Sequence, residues 1–131
     1  MRPGVSTALE WVGAWLPPVL YSGLIFYLSS LSVLPAVLPE IPGLDKVQHA
    51  MEYAILSGLM TRAVERGGHG AAGASVFAIS IWWCAVYALS DEMHQAFVAG
   101  RSADAWDWVA DVAGAAVIQW PFIRAALRSG S

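Results

Sequence analysis

Charge is scarce in this chain. Only 13% of its 131 residues are Asp, Glu, Lys or Arg, against about 25% in an ordinary soluble domain. The seven basic residues are outnumbered by ten acids, for a formal net charge of −3. That balance lacks the basic footprint of a polynucleotide binder, so no nucleic acid partner is expected. The single cysteine, Cys84, sits in an apolar run, so neither a disulfide within one chain nor a cysteine-based metal site can form. Serine and cysteine nucleophile motifs are missing as well, which leaves an enzyme only metal or acid–base chemistry. No internal repeat, low-complexity tract or second domain interrupts residues 1–131.

What the chain has in abundance is apolar surface: 57% hydrophobic residues and seven tryptophans, with a mean hydropathy of +0.55. This composition predicts one small integral membrane domain, an all-α polytopic bundle of four transmembrane helices with the lipid bilayer as its surroundings. Trp11 to Pro39 contains no ionisable residue but tyrosine, and its central part, Pro17 to Leu34, would rise about 27 Å as a helix. The first span is therefore expected over about 15–35, with Pro17 and Pro18 in its first turn and the prolines from Pro35 to Pro42 ending it. A cleaved signal peptide is the rival reading, disfavoured because the run far exceeds an apolar core of about 7–15 residues. The second span is expected over about 46–64, capped by Asp45. A turn at "ERGGHG" precedes the third, about 71–91, and the fourth covers about 104–124.

Lys and Arg set the expected topology. Arg2, Arg62, Arg66, Arg124 and Arg128 fall on one side, Lys46 and Arg101 on the other. The bias predicts a multi-pass protein of the cell (inner, cytoplasmic) membrane with both termini in the cytoplasm. The acidic segments then gather at the outer face. Asp45, His49 and Glu52 lie within about 60° of arc on the second helix, and Asp104, Asp107 and Asp111 form a similar stripe on the fourth. The loops place these beside Asp91, Glu92, His94, Gln95 and Arg101. Charged groups at membrane depth cost about 2.5–3.5 kcal/mol each on insertion scales, so inward stripes of them point to one functional pocket. The structural alternative is a network in which Arg101 pairs with Asp104 or Asp107 and clamps the hairpin.

Three segments carry a resemblance. "FYLSSL", "DKVQHAMEYAIL" and "DEMHQAFVAGRSADAWDWVADVAG" resemble the signature segments of VanZ-like membrane proteins, a family related to low-level teicoplanin resistance. The joint pattern DK-x-x-H-x-x-x-Y, DE-x-x-Q-x-F-x-x-G-R and D-x-x-x-[ND]-x-x-G is specific where any one piece is weak. The resemblance singles out Asp45, Lys46, His49 and Tyr53, then Asp91, Glu92, His94, Gln95, Phe97, Gly100 and Arg101, and lastly Asp107 and Gly114. Ala99 stands where such proteins usually have proline, and Asp111 where they usually have asparagine. The second change adds a charge to the pocket.

Seven acids (Asp45, Glu52, Asp91, Glu92, Asp104, Asp107, Asp111) against Lys46 and Arg101 cannot stand bare at membrane depth. Some carboxylates stay protonated, a divalent metal ion binds, or a ligand brings positive charge. For a metal ion the candidate ligands are Asp45, His49, Glu52, Asp91 and His94. Two classes of function remain open: a binder or transporter of a polar or lipid-linked envelope molecule, and a metal- or carboxylate-dependent membrane hydrolase or transferase. A homo-oligomer is compatible with either. The tryptophans are expected to serve as belt and packing residues. Gly58, Gly73 and Gly114 should allow close helix approach, and His69 should be a solvated loop residue. Ser29 and Ser30 should bond to their own helix backbone, with a pocket role left open.

Overall fold

A computed structural model describes residues 4–32, 41–67 and 73–129. Four helices account for nearly all of them: α1 (Gly4–Ser29), α2 (Leu44–Gly67), α3 (Ala74–Gln95) and α4 (Ala105–Ser129). No strand occurs among the described residues, so the chain is all-α. Pro35, Pro39 and His69 lie outside these residues.

α1 begins some ten residues earlier than the sequence suggests, and it ends before the proline cluster. Pro17 and Pro18 consequently lie inside the helix rather than in its first turn. An interior proline removes the N–H that would bond the carbonyl four residues back, at a cost of about 3 kcal/mol. A neighbouring helix offsets part of this, because the Arg62 Nη1 of α2 donates to the Gly13 carbonyl at 3.3 Å, the group that Pro17 leaves without its helical donor. At the other end, Ser30 Oγ donates back to the Phe26 carbonyl at 2.7 Å, a local bond of the kind that competes with helix propagation.

The starts of α2 and α4 are set by turn chemistry. Gly43 adopts φ +84, the left-handed conformation that glycine tolerates, and the Leu44 N–H donates to Ile41. Asp45 thus falls in the first turn of α2 rather than at the cap. α4 is capped by Asp104, whose Oδ1 accepts the Trp106 N–H at 2.9 Å and whose carbonyl accepts the Asp107 N–H at 2.9 Å.

α2 lies at the centre and touches the other three helices. The core between them consists of Ile25, Tyr53, Leu56, Met60, Cys84, Ala88 and Ala115. α2 and α4 approach most closely where Gly114 faces the backbone of Ala50: a Cβ at Gly114 would overlap the Ala50 carbonyl. Gly58 and Gly73 have open space around them, so the close approach expected of all three glycines is made by Gly114 alone. Lower in the bundle, Gln119 Nε2 donates to the Ser57 carbonyl at 3.0 Å and to Thr61 Oγ1 at 2.6 Å. Ser57 Oγ in turn donates to the Ala115 carbonyl at 3.1 Å. Tyr87 ties α3 to α1 through the Ser22 carbonyl at 2.6 Å.

The polarity of the bundle is inverted relative to a soluble domain. Asp91, Glu92, Gln95, Asp107, Asp111 and Gln119 are buried. Leu20, Phe26, Met51, Ile55, Trp82, Leu89, Met93, Val117 and Trp120 are exposed. So many exposed large apolar side chains point to contact with lipid or a partner. α1 over Ala8–Ser29 and α3 over Ala74–Gln95 are long and apolar enough to cross a membrane. In α2 and α4 the acids, arginines and glutamines dilute the apolar run.

Candidate functional site

At one end of the bundle a cavity of about 280 Å³ opens between all four helices. Leu28 and Ser29 reach it from α1, Asp45, Gln48, His49 and Glu52 from α2, Asp91 and Gln95 from α3, and Asp107 from α4. The loop between α3 and α4 adds Gly100, Arg101 and Ser102. That loop closes on Gly100 at φ +80, with the Arg101 N–H donating to the Val98 carbonyl at 3.1 Å. A larger residue at Gly100 would be strained by this φ, and its Cβ would crowd the Ser32 carbonyl oxygen at 3.1 Å.

Lys46 organises the mouth. Its ammonium bonds Asp45 at 3.1 Å, Asp104 at 2.7 Å and also Asp107, tying the start of α4 to the start of α2. The hydrogen bond from Lys46 holds the Asp45 carboxyl below the usual carboxylate range. Nearby, Gln48 Nε2 donates to Glu52 at 2.9 Å.

Beneath the mouth the groups become buried and their partners fewer. His49 Nδ1 lies 3.0 Å from Asp111 Oδ1, and its Nε2 is 3.9 Å from Asp107 Oδ2. Asp91 Oδ2 accepts from Ser29 Oγ at 2.8 Å and from Gln95 Nε2 at 3.1 Å. Glu92 Oε2 accepts the Asp104 N–H at 2.8 Å. The second oxygens of Asp91, Glu92 and Asp111, and the Tyr53 hydroxyl, are buried without a hydrogen-bond partner. Such groups cost about 1–3 kcal/mol each when left bare, and they call for a cation, a proton, water or a ligand donor.

Three placements differ from the sequence-based expectation. Arg101 forms no ion pair with Asp104 or Asp107; Lys46 holds both, and one oxygen of Asp104 is also engaged in capping α4. Arg101 lines the cavity without an acidic partner among the described residues. His94 lies outside the cavity lining, stacked on Phe26 with ring centroids 4.5 Å apart and with Nε2 2.9 Å from Ser30 Oγ. At 100° per residue His94 and Gln95 flank Asp91 on opposite sides, about 60° and 40° away, so His94 meets Phe26 and Ser30 while Gln95 bonds Asp91. The expected metal set Asp45, His49, Glu52, Asp91 and His94 is not the group the fold gathers. Among the described residues, His49, Glu92 and Asp111 bring donor atoms within 4.8 Å of one another.

Sequence reasoning missed Gln48, Ser102 and Leu28 in the lining, and it left Ser29 open. Ser29 is the last residue of α1 and bonds Asp91 across the bundle. Its place in the signature segment "FYLSSL" was the available signal.

The joint placement of the three signature segments around one cavity bears on ancestry, and a family model described as VanZ/LLP1 matches residues 8–124. The chain belongs to the VanZ family. The VanZ match takes in α2 and α3 whole, most of α1 and α4, and every cavity residue named above. No curated protein and no solved structure matches the chain. For this VanZ-family chain, the assignment of chemistry therefore rests on the geometry of its own residues.

Proposed function

We propose that all four helices span the cytoplasmic membrane, with both termini inside, and that the cavity opens toward the outer leaflet. There it binds or moves a polar or lipid-linked molecule of the cell envelope. The observation that carries this is Arg101, which lines the cavity with no ion pair among the described residues, while Lys46 nearby is held by three carboxylates. A planar guanidinium with five donors and no acidic partner among the described residues suits a phosphate or carboxylate on the ligand. Glu52 and Asp91 on the facing walls supply acceptors for hydroxyls or amines. The apolar exterior, interrupted at the cavity mouth, suits a molecule whose tail stays in lipid while its headgroup enters. Tight retention of such a molecule is one route to a change in glycopeptide (teicoplanin) susceptibility.

A second reading is a membrane hydrolase or transferase acting on an envelope lipid. It is favoured by the His49–Asp111 pair at 3.0 Å, an imidazole oriented by a carboxylate as in general acid–base catalysis. Native mass spectrometry of the protein released from detergent, titrated with an anionic lipid-linked phosphate and with a zwitterionic phospholipid, separates the outcomes. Selective retention of the anionic species, lost in Arg101→Ala, supports binding. Its conversion to a new mass supports the enzyme. Equal retention of both lipids by the native protein and by Arg101→Ala would sink the proposed role of the cavity.

A further inference from the structure

We infer that His49, Glu92 and Asp111 form a site for one divalent first-row transition-metal ion, below the floor of the cavity. The inference goes beyond the ligand proposed above and does not depend on it.

The three residues come from α2, α3 and α4, and their donor atoms lie within 4.8 Å of one another. Ligands at about 2.1 Å from a shared ion stand about 3.4 Å apart in tetrahedral geometry, so a modest contraction of three side chains completes the set. Glu92 is 5% exposed and Asp111 fully buried, and each keeps one carboxylate oxygen without a hydrogen-bond partner. A buried carboxylate oxygen is ordinarily satisfied, and two buried carboxylates beside one imidazole, each with an unsatisfied oxygen, call for a positive centre.

Among the described residues no lysine or arginine pairs with Glu92 or Asp111. Lys46 is engaged by Asp45, Asp104 and Asp107 at the mouth. Arg101 has no acidic partner among the described residues, and it lines the cavity above while Glu92 and Asp111 do not. The surroundings add negative charge: Asp107 Oδ2 lies 3.9 Å from His49 Nε2, and Asp91 has its own unpartnered oxygen.

The donor chemistry narrows the ion. One neutral imidazole and two carboxylates carry two negative charges, matched by a divalent cation. The nitrogen donor favours zinc, manganese or iron(II) over calcium or magnesium, which prefer oxygen alone, and no thiolate is present to favour a soft ion. Three protein ligands leave a coordination position open toward the cavity, as in sites that polarise a bound oxygen. The Asp104 N–H on Glu92 Oε2 at 2.8 Å fixes that carboxylate from behind, the role of an outer hydrogen bond in a metal site.

Elemental analysis tests this directly. Tag-free protein is purified in detergent, stripped with chelator, equilibrated with zinc or manganese and freed of excess ion. One ion per chain is expected in the native protein. Loss of more than about tenfold is expected in the near-isosteric variants Glu92→Gln and Asp111→Asn. Asp45→Asn and His94→Ala should retain the ion. Helicity and elution volume report whether each variant is folded. The native protein alone also decides the matter, because cobalt(II) in the site should give visible absorption bands displaced by zinc. Absence of stoichiometric ion and of cobalt bands in the folded native protein, or full retention by both carboxamide variants, would overturn the assignment. Neither result bears on lipid retention through Arg101.

Discussion

Replacing Gly114 by alanine sets two effects of opposite sign against each other. Alanine is favoured over glycine inside a helix by about 1 kcal/mol, so an isolated α4 would gain from the change. In the bundle the new Cβ would overlap the carbonyl of Ala50, which is helix backbone and cannot swing aside like a side chain. Over-packing costs typically about 1–3 kcal/mol, and a backbone obstruction belongs at the upper end. The expected balance is a net loss of about 2 kcal/mol, or roughly 6–10 °C in the unfolding midpoint of a domain this size. Thermal unfolding followed by circular dichroism in detergent reads it. The control is Gly58→Ala, where nothing stands within 4 Å of the added carbon and the propensity gain should raise the midpoint. Because Gly114 follows Asp111 on the next turn and Ala50 adjoins His49, Gly114→Ala should also weaken metal uptake. A midpoint that rises in Gly114→Ala as it does in Gly58→Ala would refute the close-packing argument.

Three further outcomes are expected. Arg62→Met should lower stability by about 1 kcal/mol by leaving the Gly13 carbonyl without its donor; adding Pro17→Ala should recover that loss, and purely additive midpoints would show that the two positions are uncoupled. Arg101→Lys should not restore binding of an anionic lipid-linked phosphate lost in Arg101→Ala, since an ammonium cannot replace the planar fork; recovery to native affinity by mass spectrometry would show that a point charge suffices. Reporters active only in the cytoplasm should signal when fused at Arg66 or at the C-terminus and stay silent near Ala99, and the reverse pattern would invert the proposed orientation.

The helical architecture and the convergence of polar stripes were legible because both are periodic. Asp45, His49 and Glu52 recur at helical spacing on one face, and long apolar runs set the helices that carry them. What could not be read depends on contacts between distant segments. Pro17 looked like a helix start because the sequence does not reveal that Arg62, 45 positions later, meets the carbonyl it frees. Arg101 looked like the partner of Asp104 because they are neighbours in sequence, yet Lys46 reaches Asp104 across 58 positions. His94 looked like a ligand because it follows Asp91 at helical spacing, whereas the packing of α1 against α3 takes its ring onto Phe26. Glu92 and Asp111 were both in view, but only the packing of three helices shows that they converge on His49.

The bond from Arg62 to Gly13 also gives substitution at this site a direction in time. Pro17 can be exchanged for alanine in a single step, because the restored N–H serves Gly13 and Arg62 merely becomes redundant. Arg62 cannot be lost first at the same expense, since the carbonyl is then stranded while the proline persists. Drift through these two positions therefore runs more easily by way of the proline. An arginine that serves as a surrogate backbone donor would then outlast its purpose, leaving descendants in which it looks like an ordinary surface charge.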